Sequence, residues 1–257
     1  MSAEEFSSRM LMKEGLNDTG CEEYDKHCDG LNTRKPRVFY NKHLPSKFDW
    51  RDHAGVVGPV LDQRGCLACW AFSVVGVMES KMVIQKSKYY HRLSVQELID
   101  CSDLTNHCHG GNVAFAMKYL CRNMLPITWE ERYPLTLEDE NCRFKPTTGV
   151  LLESFTVHCN VLAMKIIDFI VNEGPVTAAV NAENWVHYLD GIIQYHCSSS
   201  PLRHVVQIVG YDFTTQPPHF IIKNSWGKDF GIEGYVKIAM GNFICGIGKQ
   251  IGYLSVR

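Results

Sequence analysis

Eleven cysteines, at positions 21, 28, 66, 69, 101, 108, 121, 142, 159, 197 and 245, constrain this 257-residue chain more than any other feature. So many thiols exceed what a core collects by chance and point to a disulfide-permissive compartment. The number is odd, so at least one thiol has no partner within the chain. Yet the opening residues, Met1-Ser2-Ala3-Glu4-Glu5-Phe6, carry no apolar stretch of the secretory kind. The cysteine content points to export, and the first residues do not supply the address.

The remaining composition excludes several classes. A hydrophobic share of 45% with 21% charged residues is that of a folded chain with a proper core, not a disordered or collagenous one. Lys and Arg number 26 against 28 acidic residues, a net charge of −2, which leaves no electrostatic footprint for nucleic acid or an anionic membrane. No apolar run reaches the ~18–20 residues that span a bilayer.

Residues 1–43 are polar and charged and contain Asn17-Asp18-Thr19, an N-glycosylation pattern. The composition changes at Leu44-Pro45, and Phe48-Asp49-Trp50-Arg51 opens the compact part. Apolar spacing predicts helices from Cys69 to about Lys86, from Ser94 to Cys101, from Asn112 to Arg122 and from Val161 to Val171. Ser94 with Glu97 forms a capping-box pattern, and Gly174-Pro175 closes the last helix. A change of character begins between Gly149 and Leu152. Strands are expected at 176–180, 205–211, 220–223, 235–238 and 251–256. Helices in front and strands behind predict an α+β chain of two lobes with a cleft between them.

The sharpest local feature is Asp62-Gln63-Arg64-Gly65-Cys66-Leu67-Ala68-Cys69-Trp70-Ala71-Phe72-Ser73. Cys69 stands at a helix start, where the free N–H groups and the positive dipole end favour a thiolate, the nucleophilic form. A nucleophilic cysteine also needs a base and a group that orients the base. His204 opens a predicted strand 135 residues downstream (204 − 69), and Asn224 ends another 155 residues downstream (224 − 69). Two rival chemistries stay open on the residues alone. Cys66-x-x-Cys69 before a helix also suits a thiol–disulfide oxidoreductase, although no buried strand leads into it and His204 and Asn224 would go unused. Zinc is a further use for many cysteines, but Cys101 and Cys108 are seven apart rather than at the usual ligand spacing, so no metal is expected.

From Leu44 onward the chain resembles the papain-like cysteine proteases. The blocks that carry the resemblance are Leu44-Pro45 with Asp49-Trp50-Arg51, Gln63 to Ser73, Cys101 with Cys108-His109-Gly110-Gly111, His204 with Val209-Gly210-Tyr211, and Asn224-Ser225-Trp226-Gly227. Finer matches, Phe72 to Gly76, Ser94-Val95-Gln96 and Gly191 to Ser199, resemble one cathepsin branch of that family. The resemblance implies a papain-like two-lobed fold with a helical N-terminal lobe (roughly 44–149) and a C-terminal lobe like an antiparallel β-barrel (roughly 150–257). It implies a cysteine-type endopeptidase of lysosomal-type proteolysis that forms an acyl-thioester. Cys69 would be the nucleophile and His204 its ion-pair partner and general acid. Asn224 would orient the imidazole, Gln63 would donate to the oxyanion, and Trp226 would shield the His–Asn bond. Gly111 would pair with the substrate backbone. Asn112, Val113, Val205 and Gln250 would line the pocket for the second residue before the cut, with neutral Gln250 at its floor. No cofactor is implied. Polypeptide substrates are, together with cystatin-type inhibitors, a monomeric state and a lysosomal or secreted location.

The resemblance also implies the disulfides Cys66–Cys108, Cys101–Cys142 and Cys197–Cys245. Cys121 and Cys159 fall in apolar patterns and are expected as buried free thiols; a Cys21–Cys28 bond lacks support from the family. Residues 1–43 resemble the end of a family propeptide. Neither its long helices nor a signal precedes them, which leads to the expectation of a truncated N-terminus on an exported protein. Several positions depart from the family. Leu67-Ala68 replaces a glycine-containing pair, and leucine there is expected to narrow the cleft. Arg203 replaces Asn or Asp and is expected to oppose protonation of His204, so that Arg203→Asn would raise turnover. His109 replaces Asn, and Phe230 replaces Trp. Leu67 and Arg203 motivate the alternative, a weak or inactive papain-fold protein acting as a binding or regulatory module.

Overall fold

The computed structural model of the chain describes residues 2–13, 21–29, 44–86, 89–143, 147–195, 197 and 201–257; the Asn17-Asp18-Thr19 pattern lies outside them. Helix α1 (Ala3–Met10) is capped by Ser2, whose hydroxyl accepts from the Glu5 N–H. Short strands β1 (Tyr24–His27) and β2 (Lys47–Asp49) follow. Helix α2 (Cys69–Lys86) is buried without a break from Cys69 to Met82. A helix apolar on every side must be surrounded by protein, and α2 is the central pillar of the molecule. Its two buried charges are satisfied. Glu79 accepts from the Leu93 N–H at 2.9 Å and the Tyr90 hydroxyl at 3.1 Å, and Lys81 reaches the carbonyl and carboxylate of Glu173.

Helix α3 (Val95–Cys101) starts at Ser94, whose Oγ accepts from the Glu97 N–H at 2.9 Å. The expected capping box forms only half. Ser94's own N–H is already bonded to the Thr128 carbonyl, so the Glu97 carboxylate takes the Thr128 N–H instead. Helix α4 (Val113–Asn123) begins one residue late because Asn112 is its cap, accepting from the Ala114 N–H at 2.7 Å. Then come β3 (Leu152–Cys159), α5 (Ala163–Asn172), β4 (Val176–Val180), β5 (Ile192–Ile193), β6 (His204–Asp212), β7 (His219–Lys223), β8 (Tyr235–Ala239) and β9 (Gln250–Val256).

The strands form one sheet in the order β1-β3-β9-β4-β6-β7-β8-β5, with β2 alongside β6. All pairings are antiparallel except β5 with β8. Gly210 lets β2 approach β6, since a Cβ there would stand 2.4 Å from the Phe48 carbonyl oxygen. One apolar cluster gathers around α2, α3 and α4, and a second around α5 and the central strands. The architecture is α+β, helices first and a mostly antiparallel sheet after.

Five disulfides consume ten of the eleven cysteines. Cys66–Cys108, Cys101–Cys142 and Cys197–Cys245 are bonded. The expected free thiols Cys121 and Cys159 are not free: Cys21 bonds Cys159 and Cys28 bonds Cys121. The reason is β1, which pairs with β3 as the edge of the sheet, Tyr24 opposite Val157 and His27 opposite Ser154, and so carries its flanking cysteines onto the folded body. Cys69 alone remains a free thiol.

Candidate active site

The register of two strands assembles the site. β6 and β7 are antiparallel with Gln207 opposite Lys223. His204, the first residue of β6, and Asn224, just past the end of β7, therefore finish side by side. The His204 Nε2–H donates to Asn224 Oδ1 at 2.7 Å. That bond fixes the tautomer and leaves Nδ1, buried without a partner, as the basic nitrogen. Trp226 stacks on the imidazole at 4.4 Å between centroids, and Trp185 meets it edge-on at 6.2 Å. Phe230 packs edge-on against Trp226 at 4.8 Å and fills the place of the larger ring expected there.

Cys69 is the first residue of α2 and is fully buried. Backbone N–H groups of Cys69, Trp70 and Val205 favour its thiolate, the first two being the free donors of the helix start. Burial outweighs them and pushes the thiol up to about 12. Burial likewise pulls His204 down to about 4, against the opposing effect of its bond to Asn224. Burial thus works against the charged form of both groups while the cleft is covered. The physical reason lies in the N-terminal segment, which covers the site.

That cover is specific. Phe6, Leu11 and Met12 are buried, and Phe6 meets Trp226 edge-on at 5.0 Å. The Met12 N–H donates to the Arg203 carbonyl at 2.8 Å, and the Gly111 N–H faces the Met12 sulfur at 3.4 Å. Gln63 Nε2 lies 3.5 Å from the Met10 carbonyl oxygen, while its Oε1 accepts from Ser225 Oγ at 2.7 Å. Ser225 therefore decides which face of the Gln63 amide looks into the cleft. Nothing in the sequence marked Ser225 or Trp185 for these contacts; the pairing of residues 61–63 with 225–227 brings Ser225 to Gln63, and Trp185 reaches the imidazole and Trp226 from elsewhere in the C-terminal half.

Gly111 and Asn112 line a cavity of ≈ 360 Å³ together with Met12, His109 and Phe115. A side chain at 111 would collide with the Trp70 ring at 2.8 Å, which keeps this wall open as bare backbone. Val113, Val205 and Gln250 do not line that cavity. Val113 starts α4 and faces the core with Val205, and Gln250 pairs with Cys159 in the sheet beneath the Cys21 sulfur. Leu67 is buried in the α2 cluster, which also holds Met12 and Cys69, and its N–H bonds the Cys108 carbonyl. Arg203 turns to the N-terminal segment and Glu183. Its guanidinium donates to the Met12 carbonyl at 2.6 Å and to Ser7 Oγ at 3.1 Å, and pairs with Glu183 at 3.7 Å. His109 is half-exposed beside Asp139 at 3.5 Å. The Cys66-x-x-Cys69 redox reading ends with the Cys66–Cys108 bond. Among the described residues no group of three His, Cys, Asp or Glu is placed to hold a metal, and no helix is long and apolar enough to cross a membrane.

Fold and site define a cysteine peptidase, and residues 44–254 match the model of the papain family of cysteine proteases. The chain belongs to that family. Its relatives include mouse cathepsin O, 39% identical over 86% of this chain and 71% of that protein, and human cathepsin O, 37% identical over 84% and 68%. Cathepsin O is the branch that the finer sequence blocks resemble. Among solved structures, procathepsin L 3 of Tenebrio molitor superposes with a TM-score of 0.82 at 29% identity, covering 99% of this chain and 79% of that one. The bromelain protease of Ananas comosus in complex with the E64 inhibitor gives 0.74 at 29%, covering 83% and 100%.

Proposed function

We propose that the chain is an endopeptidase in which Cys69 is the nucleophile, His204 the acid–base, Asn224 the orienting group and Gln63 an oxyanion donor. The observation that carries this is the one free thiol among eleven cysteines, at a helix start and facing the N–H of Val205, the chain neighbour of His204, whose Nε2 is held by Asn224 and whose Nδ1 is unpaired. With the cleft open to water the penalty of burial lifts, and as substrate binds the proton passes from Cys69 to His204. The thiolate attacks the peptide carbonyl carbon and forms a carbon–sulfur bond. The carbonyl oxygen takes the electron pair and accepts from Gln63 Nε2 and the Cys69 N–H. The imidazolium gives its proton to the leaving amine as the carbon–nitrogen bond breaks. Water, deprotonated by His204, then hydrolyses the thioester.

Residues 44–257 form the peptidase domain on this reading, with lobes at 44–149 and 150–257, and residues 1–43 act as a propeptide segment. Gly111, Asn112 and Trp226 border the substrate path. The setting is lysosomal or secreted and the enzyme monomeric, with cystatin-type proteins as its inhibitors. The test is to remove residues 1–43 and add E64. Stoichiometric labelling at Cys69, with peptide hydrolysis lost in Cys69→Ser, is the expected result. A folded, unlabelled protein would instead support a binding or regulatory module.

A further inference from the structure

The two unexpected disulfides join the N-terminal segment to the body at two separate elements. Cys21 bonds the end of β3 at Cys159, and Cys28 bonds α4 at Cys121. Between them β1 adds four residues to the sheet edge. Its side chains are engaged too: Thr156 Oγ1 donates to Asp25 at 3.2 Å, the Cys159 N–H to Glu23 at 3.3 Å, and Tyr24 lies on Phe155 at 6.1 Å. Upstream of this anchor is the part that covers Cys69. Lys13 and Cys21 are eight residues apart (21 − 13). Fully extended, that leash reaches at most about 28 Å, so the cover stays at an effective concentration on the order of millimolar.

We propose that Cys21–Cys159 and Cys28–Cys121 make the N-terminal segment a thiol-released cover, one that a backbone cut before Leu44 does not remove. The proposal rests on the peptidase reading of Cys69. Hydrolysis of the bond before Leu44 consumes one water and leaves a carboxylate and an amine. The fragment nonetheless remains linked through two sulfur–sulfur bonds, and its re-docking on the cleft is intramolecular. Release takes a dithiol reductant. Each disulfide accepts two electrons and two protons and becomes two cysteine thiols, while one reductant dithiol closes to a disulfide. The cover then leaves as an ordinary dissociating peptide.

The experiment uses the full chain with a site-specific cleavage sequence placed immediately before Leu44. After the cut and without reductant, the fragment is expected to stay with the body on gel filtration and non-reducing electrophoresis, and Cys69 to resist E64. The Cys21→Ser/Cys28→Ser double variant, cut in the same way, is expected to shed the fragment and label at Cys69 with no added dithiol. Each single variant keeps one bond and is expected to retain the fragment. Loss of the fragment from the unreduced wild type, or its retention by the double variant, would overturn the proposal. In the double variant, a fragment that leaves while Cys69 stays unlabelled upholds the tether and defeats the peptidase reading instead. Should the double variant not fold, peptide mapping of the unreduced wild type decides: linked peptides pairing 21 with 159 and 28 with 121 are required, and their absence overturns it.

Discussion

Acid should loosen the cover over Cys69, and His204 sets the size of the effect. Its imidazole is fully buried beneath the N-terminal segment and held down from an ordinary 6.5 to about 4. Above pH 6.5 the ring is neutral whether the cleft is covered or open, and His204 does not bias the equilibrium. As pH falls below 6.5 the open state takes up a proton that the covered state refuses until about pH 4. Covered-state stability is therefore present at neutral pH and lost on the way down. A difference of about 2.5 pH units amounts to about 3 kcal/mol, or roughly 300-fold in the covered-to-open ratio well below pH 4 and about half of that at pH 4.

The assay is hydrogen exchange of the α1 amides, and of Met12, in the intact chain between pH 7.5 and 4, corrected for intrinsic rates. Protection should drop by about two orders of magnitude, with most of the change between pH 6.5 and 4. The Arg203–Glu183 ion pair lies at the same interface, so His204→Gln is the necessary control. That variant has no imidazole to protonate, and its protection should be nearly flat over the window. Protection of the wild type that holds constant from pH 7 to 4, or an equal drop in His204→Gln, would refute the assignment.

Three further outcomes follow from the geometry. Ser225→Ala removes the hydroxyl that holds Gln63 Oε1, and kcat should fall about tenfold with KM little changed, as steady-state kinetics on the enzyme freed of residues 1–43 would show. Arg203→Asn removes charged bonds to the Met12 carbonyl and Ser7, so the cover should exchange on the order of 10-fold faster or more while the pH profile of the freed enzyme stays in place. Ser94→Ala deletes the cap of α3 and a buried bond to the Tyr133 carbonyl at 2.7 Å, which should cost about 2 kcal/mol in denaturant unfolding.

What the sequence discloses divides along the range of the interactions. Helices α2, α4 and α5 show in apolar spacing because each is specified within a few turns. Cys69, His204 and Asn224 show because short blocks of residues surround each of them, even though the chain between them is long. β3 is harder to see: Leu152–Cys159 mixes Glu153, Ser154 and His158 with its apolar positions, since the strand lies between β1 and β9 rather than wholly in the core. The Cys21–Cys159 and Cys28–Cys121 bonds span 138 and 93 residues, and no local pattern pairs them. They exist only because β1 returns to the sheet edge. The protonation states of the site are further still from the sequence. The helix start and the N–H groups of Cys69 and Trp70 favour a thiolate at Cys69 and are local, while the Val205 N–H that adds to them comes from β6. Burial overrides them, and it affects both Cys69 and His204; among the residues that build it are Met12, in one cluster with Cys69, and Phe6, against Trp226, both more than fifty residues upstream of Cys69. The same residues therefore support two electrostatic states. Which one holds depends on a segment whose attachment is itself a matter of cysteines far apart in the chain.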